Sequence, residues 1–135
     1  MDERLGGVKI VIVDDDPDVR ASMAAAFQAE GADVVTVGDG NAGVRANREH
    51  QPDLMVLDMM LPGRSGFLAL EKIKGQADSP LVLMVTANEG KRHQAYAESL
   101  GVDAYMVKPV PLTVLIEQAQ TLLRQRREED AAAER

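Results

Sequence analysis

The sequence predicts an α/β domain built on a parallel five-stranded sheet. Short apolar runs recur five times along the chain, and a helix-like segment follows each of them. Such regular alternation is typical of parallel sheets, whose crossover connections are right-handed. The run Leu54–Leu57 contains no polar residue, which indicates a strand buried on both faces. With 135 residues, 45% of them hydrophobic, the chain is long enough for one domain with a sizeable core.

The first strand and helix carry the clearest local signals. Val8–Val13 is apolar and rich in β-branched residues, as strands are. Asp16 followed by Pro17 is typical of a helix N-cap with proline at the first helical position. The predicted helix, Pro17–Glu30, has an apolar stripe and is closed by Gly31.

The middle of the chain predicts two further strand and helix pairs. Asp33–Val37 is a short strand, and the helix Asn41–His50 after it has a thin apolar face, so we expect it to be one of the more exposed. The third strand is Leu54–Asp58. A Pro-Gly loop then leads to the helix Phe67–Lys74.

The last two pairs complete the pattern. Leu81–Val85 is the fourth strand, and the helix Glu89–Leu100 is polar, with few apolar anchors, Ala95 and Leu100 among them. Asp103–Val107 is the fifth strand, and a final helix begins near Pro111. A doubly wound sheet of flavodoxin-like order 2-1-3-4-5, with five helices, satisfies the crossover rule.

Composition excludes several classes of function. The net charge of −7 argues against direct nucleic-acid binding by this domain. The absence of cysteine excludes disulfides, a thiol nucleophile and a zinc–thiolate site. No apolar run is long enough to cross a membrane and no signal peptide is recognisable, so we expect a cytoplasmic protein without membrane contact.

The predicted domain covers residues 1–123. Residues 124–135 contain four arginines and four acidic side chains and therefore carry no net charge. We expect this segment to be a charged helical extension or a linker.

Four of the five strands end in a chemically useful residue. Asp14 and Asp15 follow the first strand, Asp58 ends the third, Thr86 follows the fourth and Lys108 follows the fifth. All of these ends lie at one edge of a parallel sheet. Carboxylates without nearby histidine or cysteine suit Mg²⁺, and a lysine and a hydroxyl beside them suit the oxygens of a transferred phosphoryl group.

At these positions the chain resembles the receiver domain of bacterial two-component response regulators, over roughly Val8–Leu123. The matching stretches are VIVDDDPDVR (Val11–Arg20), LDMMLPGRSG (Leu57–Gly66), VTA (Val85–Ala87) and YMVKP (Tyr105–Pro109). Each stretch alone is a weak signal. Four of them in the right order, on the right strand ends, are highly specific.

The resemblance implies a phosphoacceptor and a metal site. Asp58 would accept the phosphoryl group. Asp15, Asp58 and the backbone carbonyl of Met60 would bind Mg²⁺ directly, and Asp14 would act through water.

The resemblance also implies how the signal is sensed. Thr86 and Lys108 would bind the phosphoryl oxygens, and Tyr105 would turn inward when Thr86 moves toward the phosphate. The Lys108–Pro109 bond is expected to be cis. Met60 and Asn88 would tune dephosphorylation, and an apolar Met60 predicts an aspartyl phosphate that is not especially short-lived.

The implied partners are a sensor histidine kinase or phosphotransfer protein and a downstream protein or output domain. The fourth helix, the fifth strand and the last helix would form the face that partners read, and a homodimer through the last two helices is compatible with this. We expect a regulator and not an enzyme. Two alternatives remain open: a docking module that works without phosphorylation, and a Mg²⁺-dependent phosphatase with an aspartyl-phosphate intermediate.

Overall fold

The structure, a computed structural model, describes residues 4–87 and 90–134. Its strands are β1 (Lys9–Val13), β2 (Asp33–Val37), β3 (Leu54–Leu57), β4 (Leu81–Thr86) and β5 (Ala104–Val107). Its helices are α1 (Pro17–Ala29), α2 (Gly40–His50), α3 (Gly66–Lys74), α4 (Lys91–Ser99) and α5 (Leu112–Ala133). Strands and helices therefore alternate as predicted, with boundaries shifted by one or two residues except at the last helix.

The five strands form one parallel sheet in the order β2-β1-β3-β4-β5. In this register Val13 pairs with Leu57, and Leu57 pairs with Met84. The ends of β1 and β3 are thus level at the carboxyl edge of the sheet, and β4 continues two residues further, to Thr86, which pairs with Val107 at the end of β5. The predicted flavodoxin-like order is confirmed, and the edge where ligands bind in such sheets carries the predicted site residues.

Two hydrophobic layers cover the faces of the sheet. On one face, side chains of α1 and α5 such as Phe27 and Leu115 pack on Ile10 and Ile12. On the other face, side chains of α2, α3 and α4 pack on the alternate strand residues, Val11 among them. The three central strands are almost wholly buried, so they hold the residues that follow them in fixed positions.

Helix α2 is more buried than predicted. Gly40, Gly43, Val44, Ala46 and Asn47 are all buried, so the expectation of an exposed helix is wrong. Small residues let α2 lie close to the sheet without a broad apolar stripe. A prediction based on the positions of large apolar residues does not detect such contacts.

Helix α4 has the expected polar character, and Leu100, one of its two predicted anchors, is partly buried against the core. Ala97 is fully buried, whereas Ala95, the other predicted anchor, is exposed. Two residues along a helix correspond to a rotation of about 200°. The two alanines therefore face nearly opposite directions.

Helix α5 runs without a break past the predicted boundary at residue 123, as far as Ala133. Arg126 Nη1 donates a hydrogen bond to the backbone carbonyl of Ser79, at 3.0 Å, and most of the later residues are exposed. The role of residues 124–135 as an extension or a linker stays a prediction. Within the described part of the chain, no helix combines the length and the apolar character that a membrane span requires.

Candidate functional site

The loop after β1 places its carboxylates by local hydrogen bonds. Asp14 is 1% exposed, and its Oδ1 accepts a hydrogen bond from the backbone N–H of Asp16 at 2.9 Å. Asp16 in turn caps α1, as predicted. Arg20 Nη1, one turn into the helix, donates to the backbone carbonyl of Asp14 at 2.7 Å. No role was predicted for Arg20, although its place four residues after the cap puts it on the same side of the helix.

Asp58 is held by the sheet and by the loop that follows it. Its N–H donates to the carbonyl of Val13 at 3.0 Å, and its side chain is 8% exposed. Asp58 Oδ1 accepts a hydrogen bond from the N–H of Met60 at 3.1 Å. Met60 is 65% exposed, whereas Met59 is buried.

Lys108 links the carboxylates of the first and third strands. Its Nζ lies 2.7 Å from Asp14 Oδ2 and 3.0 Å from Asp58 Oδ2. Partial burial lowers the pKa of Lys108, but the hydrogen bonds and charges of Asp14 and Asp58 more than offset this, so the pKa lies above its ordinary value. The ammonium therefore stays charged and partly neutralises the cluster.

Thr86 and Tyr105 lie beside this group. Thr86 is fully buried at the end of β4, and its backbone carbonyl accepts a hydrogen bond from the N–H of Lys108 at 2.8 Å. Tyr105 is half-buried on β5, and its pKa is raised by burial and then by the negative charge of Asp58. The Lys108–Pro109 bond is cis, as expected. The predicted tuning residue Asn88 lies outside the described residues.

The three carboxylates offer a site that suits a hard cation. One oxygen each of Asp14, Asp15 and Asp58 lies within 4.8 Å of the other two. Asp15 is exposed and the other two are buried. In the described ranges this is the one such group, and it contains no histidine or cysteine. An all-oxygen donor set open to solvent on one side fits Mg²⁺, which keeps several of its waters.

A ring cluster borders the site on the α3 and α4 side. His93 stacks on Phe67 with 6.0 Å between ring centroids, and Tyr96 meets Phe67 edge to face at 4.9 Å. His93 is exposed and makes this ring contact. His93 and Phe67 line the same shallow pocket as Asp15 and Met60.

Comparisons with known proteins agree with this geometry. Residues 10–120 match the family model described as "Response regulator receiver domain". The DNA-binding response regulator MtrA of Mycolicibacterium smegmatis is 35% identical over 126 residues, which cover 93% of this chain and 54% of MtrA. The chain thus spans about half the length of this curated relative.

Solved structures show the same fold. The BeF₃-activated N-terminal receiver domain of RstA from Klebsiella pneumoniae is 30% identical, with a TM-score of 0.81, over 86% of this chain and 98% of that one. The receiver domain of a sensor histidine kinase from Pseudomonas aeruginosa, with magnesium coordinated in its active-site cleft, is 25% identical, with a TM-score of 0.80, over 87% and 98% of the two chains. The chain therefore belongs to the receiver-domain family of two-component response regulators.

Proposed function

We propose that this receiver is a phosphorylation-controlled switch. Asp58 would accept a phosphoryl group from a sensor histidine kinase or phosphotransfer protein in a Mg²⁺-dependent reaction. The protein would then signal to a downstream partner or output domain. The observation that carries the proposal is the contact of Lys108 Nζ with both Asp14 and Asp58, beside the third carboxylate of Asp15.

The residues present can each do a part of the transfer. An oxygen of Asp58 would attack phosphorus as the P–N bond of a phosphohistidine breaks, and the imidazole would leave with the electron pair of that bond. Lys108 Nζ, 3.0 Å from Asp58 Oδ2, needs to move little to reach an oxygen of the arriving group. The hydroxyl of Thr86, at the end of the adjacent strand, would donate to another.

The metal would be held by this chain's oxygens. Asp15, Asp58 and the carbonyl of Met60 would be direct ligands, and Asp14 would act through water. When bound, Mg²⁺ would supply positive charge to the carboxylates and the phosphoryl oxygens. Magnesium in the cleft of the Pseudomonas aeruginosa receiver supports this assignment.

The switch would pass through Thr86 to Tyr105. Tyr105 is half-buried and within electrostatic reach of Asp58, so a change of charge at Asp58 alters its environment. We propose that the ring turns inward after phosphorylation and that α4, β5 and α5 form the face that a partner or a second copy reads.

MtrA is named as a DNA-binding regulator. In this chain any effect on DNA would belong to an output domain, because the receiver itself carries an acidic balance.

The aspartyl phosphate is proposed to be not especially short-lived. The exposed side chain of Met60 is apolar and cannot orient a water for attack on the phosphorus. Asn88 is the other position proposed to tune this rate. A half-life of seconds for the purified phosphoprotein would contradict the proposal.

Phosphorylation by acetyl phosphate tests the function directly. Wild type is incubated with acetyl phosphate and Mg²⁺, and its intact mass is measured with and without EDTA. Asp58→Asn should lose the adduct. Asp53→Asn is the matched control, because Asp53 precedes the same strand at its opposite end, where it accepts a hydrogen bond from the N–H of Lys9.

A single adduct that requires Mg²⁺ and Asp58 supports the proposal. Absence of an adduct in a folded, Mg²⁺-binding protein would refute it and favour a docking module that works without phosphorylation. Steady turnover of a small phosphate ester would instead indicate a phosphatase.

A further inference from the structure

We propose that Gly40, in the first turn of α2, is a positioning residue for the Mg²⁺ site. It acts through the β3–α3 loop, residues 58–65, which begins at Asp58 and contains Met60. This inference rests on the proposed function only in the identity of the metal. Gly40 itself touches none of the three carboxylates in the described contacts.

The contact between α2 and the loop leaves no space for a side chain. A Cβ added to Gly40 would lie 1.8 Å from the carbonyl oxygen of Arg64, 2.6 Å from its carbonyl carbon and 2.9 Å from its Cβ. The first two atoms are backbone, so a change of rotamer cannot relieve the overlap. Any residue other than glycine must push the loop away from α2 by roughly 1 Å or more, since real Cβ contacts stay beyond about 3 Å.

Backbone hydrogen bonds fix the loop at Pro62 and at Met59, which restricts its movement. At α2, the N–H of Gly40 donates to the carbonyl of Pro62 at 3.3 Å. At α3, the N–H of Gly66 donates to the carbonyl of Met59 at 2.8 Å, and a Cβ on Gly66 would lie 2.2 Å from the carbonyl oxygen of Asp58. The loop is therefore packed between the first turns of α2 and α3.

Displacement of the loop would alter the geometry of the carboxylate cluster. The N–H of Met60, inside the loop, donates to Asp58 Oδ1 at 3.1 Å. If the displacement of Arg64 extends along the loop to Met60, it changes the length of this hydrogen bond and the direction in which the Met60 carbonyl points. Mutation of residues that orient metal ligands typically costs about 10–100-fold in metal affinity. We expect Gly40→Ala to weaken Mg²⁺ binding about tenfold or more.

The test compares two glycine-to-alanine variants. Gly75→Ala is the control, because Gly75 lies at the far end of α3 and its added Cβ would meet only Glu71 O at 3.2 Å and Lys72 O at 3.7 Å. Mg²⁺ affinity is measured by calorimetry without any phosphodonor, and urea unfolding is followed in EDTA. We expect a tenfold weaker affinity for Gly40→Ala in a folded protein and a wild-type affinity for Gly75→Ala. Equal affinities in the two variants would overturn the proposal.

A wild-type measurement covers the case in which Gly40→Ala does not fold. In an NMR titration with Mg²⁺, the amide signal of Gly40 should shift and that of Gly75 should not, because the loop connects Gly40 to the cluster. An unmoved Gly40 signal at saturating Mg²⁺ would refute the inference. Both readouts concern metal binding alone, so failure of Asp58 to accept a phosphoryl group would refute the proposed function without deciding the role of Gly40.

Discussion

Replacement of Lys108 by methionine should destabilise the metal-free protein through the buried carboxylates. Lys108 Nζ lies 2.7 Å from Asp14 Oδ2 and 3.0 Å from Asp58 Oδ2, whose side chains are 1% and 8% exposed. At an effective dielectric constant of about 20, each such contact is worth roughly 6 kcal/mol before desolvation. Breaking a buried pair typically costs about 3–5 kcal/mol. Because Asp15 opens the cluster to water, we expect the free energy of unfolding to fall by about 2–4 kcal/mol.

Urea unfolding in EDTA, followed by circular dichroism, measures this loss. If the loss comes from carboxylates left without a counter-charge, it should shrink when Asp58→Asn is introduced as well. Lys74→Met is the matched control, since Lys74 pairs with Asp103 at 2.7 Å and is similarly buried, but outside the carboxylate cluster. Its cost should be the same with and without Asp58→Asn. Equal costs of Lys108→Met in both backgrounds would refute the electrostatic argument.

The pH dependence of this contribution has a definite sign. The folded-state pKa of Lys108 lies above its ordinary value, so its stabilising effect is fully present below the unfolded-state pKa. The effect is lost only as the pH rises through the folded-state pKa. The stability difference between wild type and Lys108→Met should therefore persist through neutral pH and narrow at strongly alkaline pH. Added Mg²⁺ should stabilise the variant more than wild type, because the ion supplies the missing positive charge.

Three further outcomes are expected. Asp16→Ala should cost about 1 kcal/mol in urea unfolding, because it removes the cap of α1, and should leave phosphorylation by acetyl phosphate intact; a lost adduct would contradict this. Phe27→Ala should cost about 3–5 kcal/mol, because Phe27 is fully buried, and a loss under 1 kcal/mol would contradict the packing described. In a Tyr96→Phe background, Asp58→Asn should lower the pKa of Tyr105 in a spectrophotometric titration, whereas an unchanged pKa would show that the charge of Asp58 does not reach the ring.

The order of the strands and the gathering of the site residues could be predicted because both follow from local pattern and one geometric rule. Apolar runs mark the strands, right-handed crossovers limit their order, and parallel strands end at one edge. Asp14 and Asp58 follow adjacent strands and are therefore neighbours, and Lys108 lies at the same edge, two strands away from β3. The long side chain of Lys108 spans this distance and reaches both carboxylates.

Contacts between loops and small residues were not predictable in the same way. The burial of α2 depends on Gly40 and Gly43, which carry no hydropathy signal, and on a loop that is distant in sequence. On α4, apolar residues are too scarce to define the facing side, so the prediction is right for Leu100 but wrong for Ala95, and Ala97 is the buried alanine. Hydrophobic periodicity indicates which face of a helix is apolar. It gives no signal where a helix can approach a loop or a sheet closely because a glycine has no side chain.

The cluster at the sheet edge joins parts of the chain that are far apart in sequence. Lys108 is separated from Asp14 by 94 residues and from Asp58 by 50. No fragment that lacks either the first strand or the fifth can contain the complete cluster. A ligand that requires all of it binds only the native state, so each tenfold excess of free ligand over its Kd adds about 1.4 kcal/mol to the stability of the whole domain. The fraction of protein with ligand bound at this edge thus reports the fraction of protein in which the whole domain is folded.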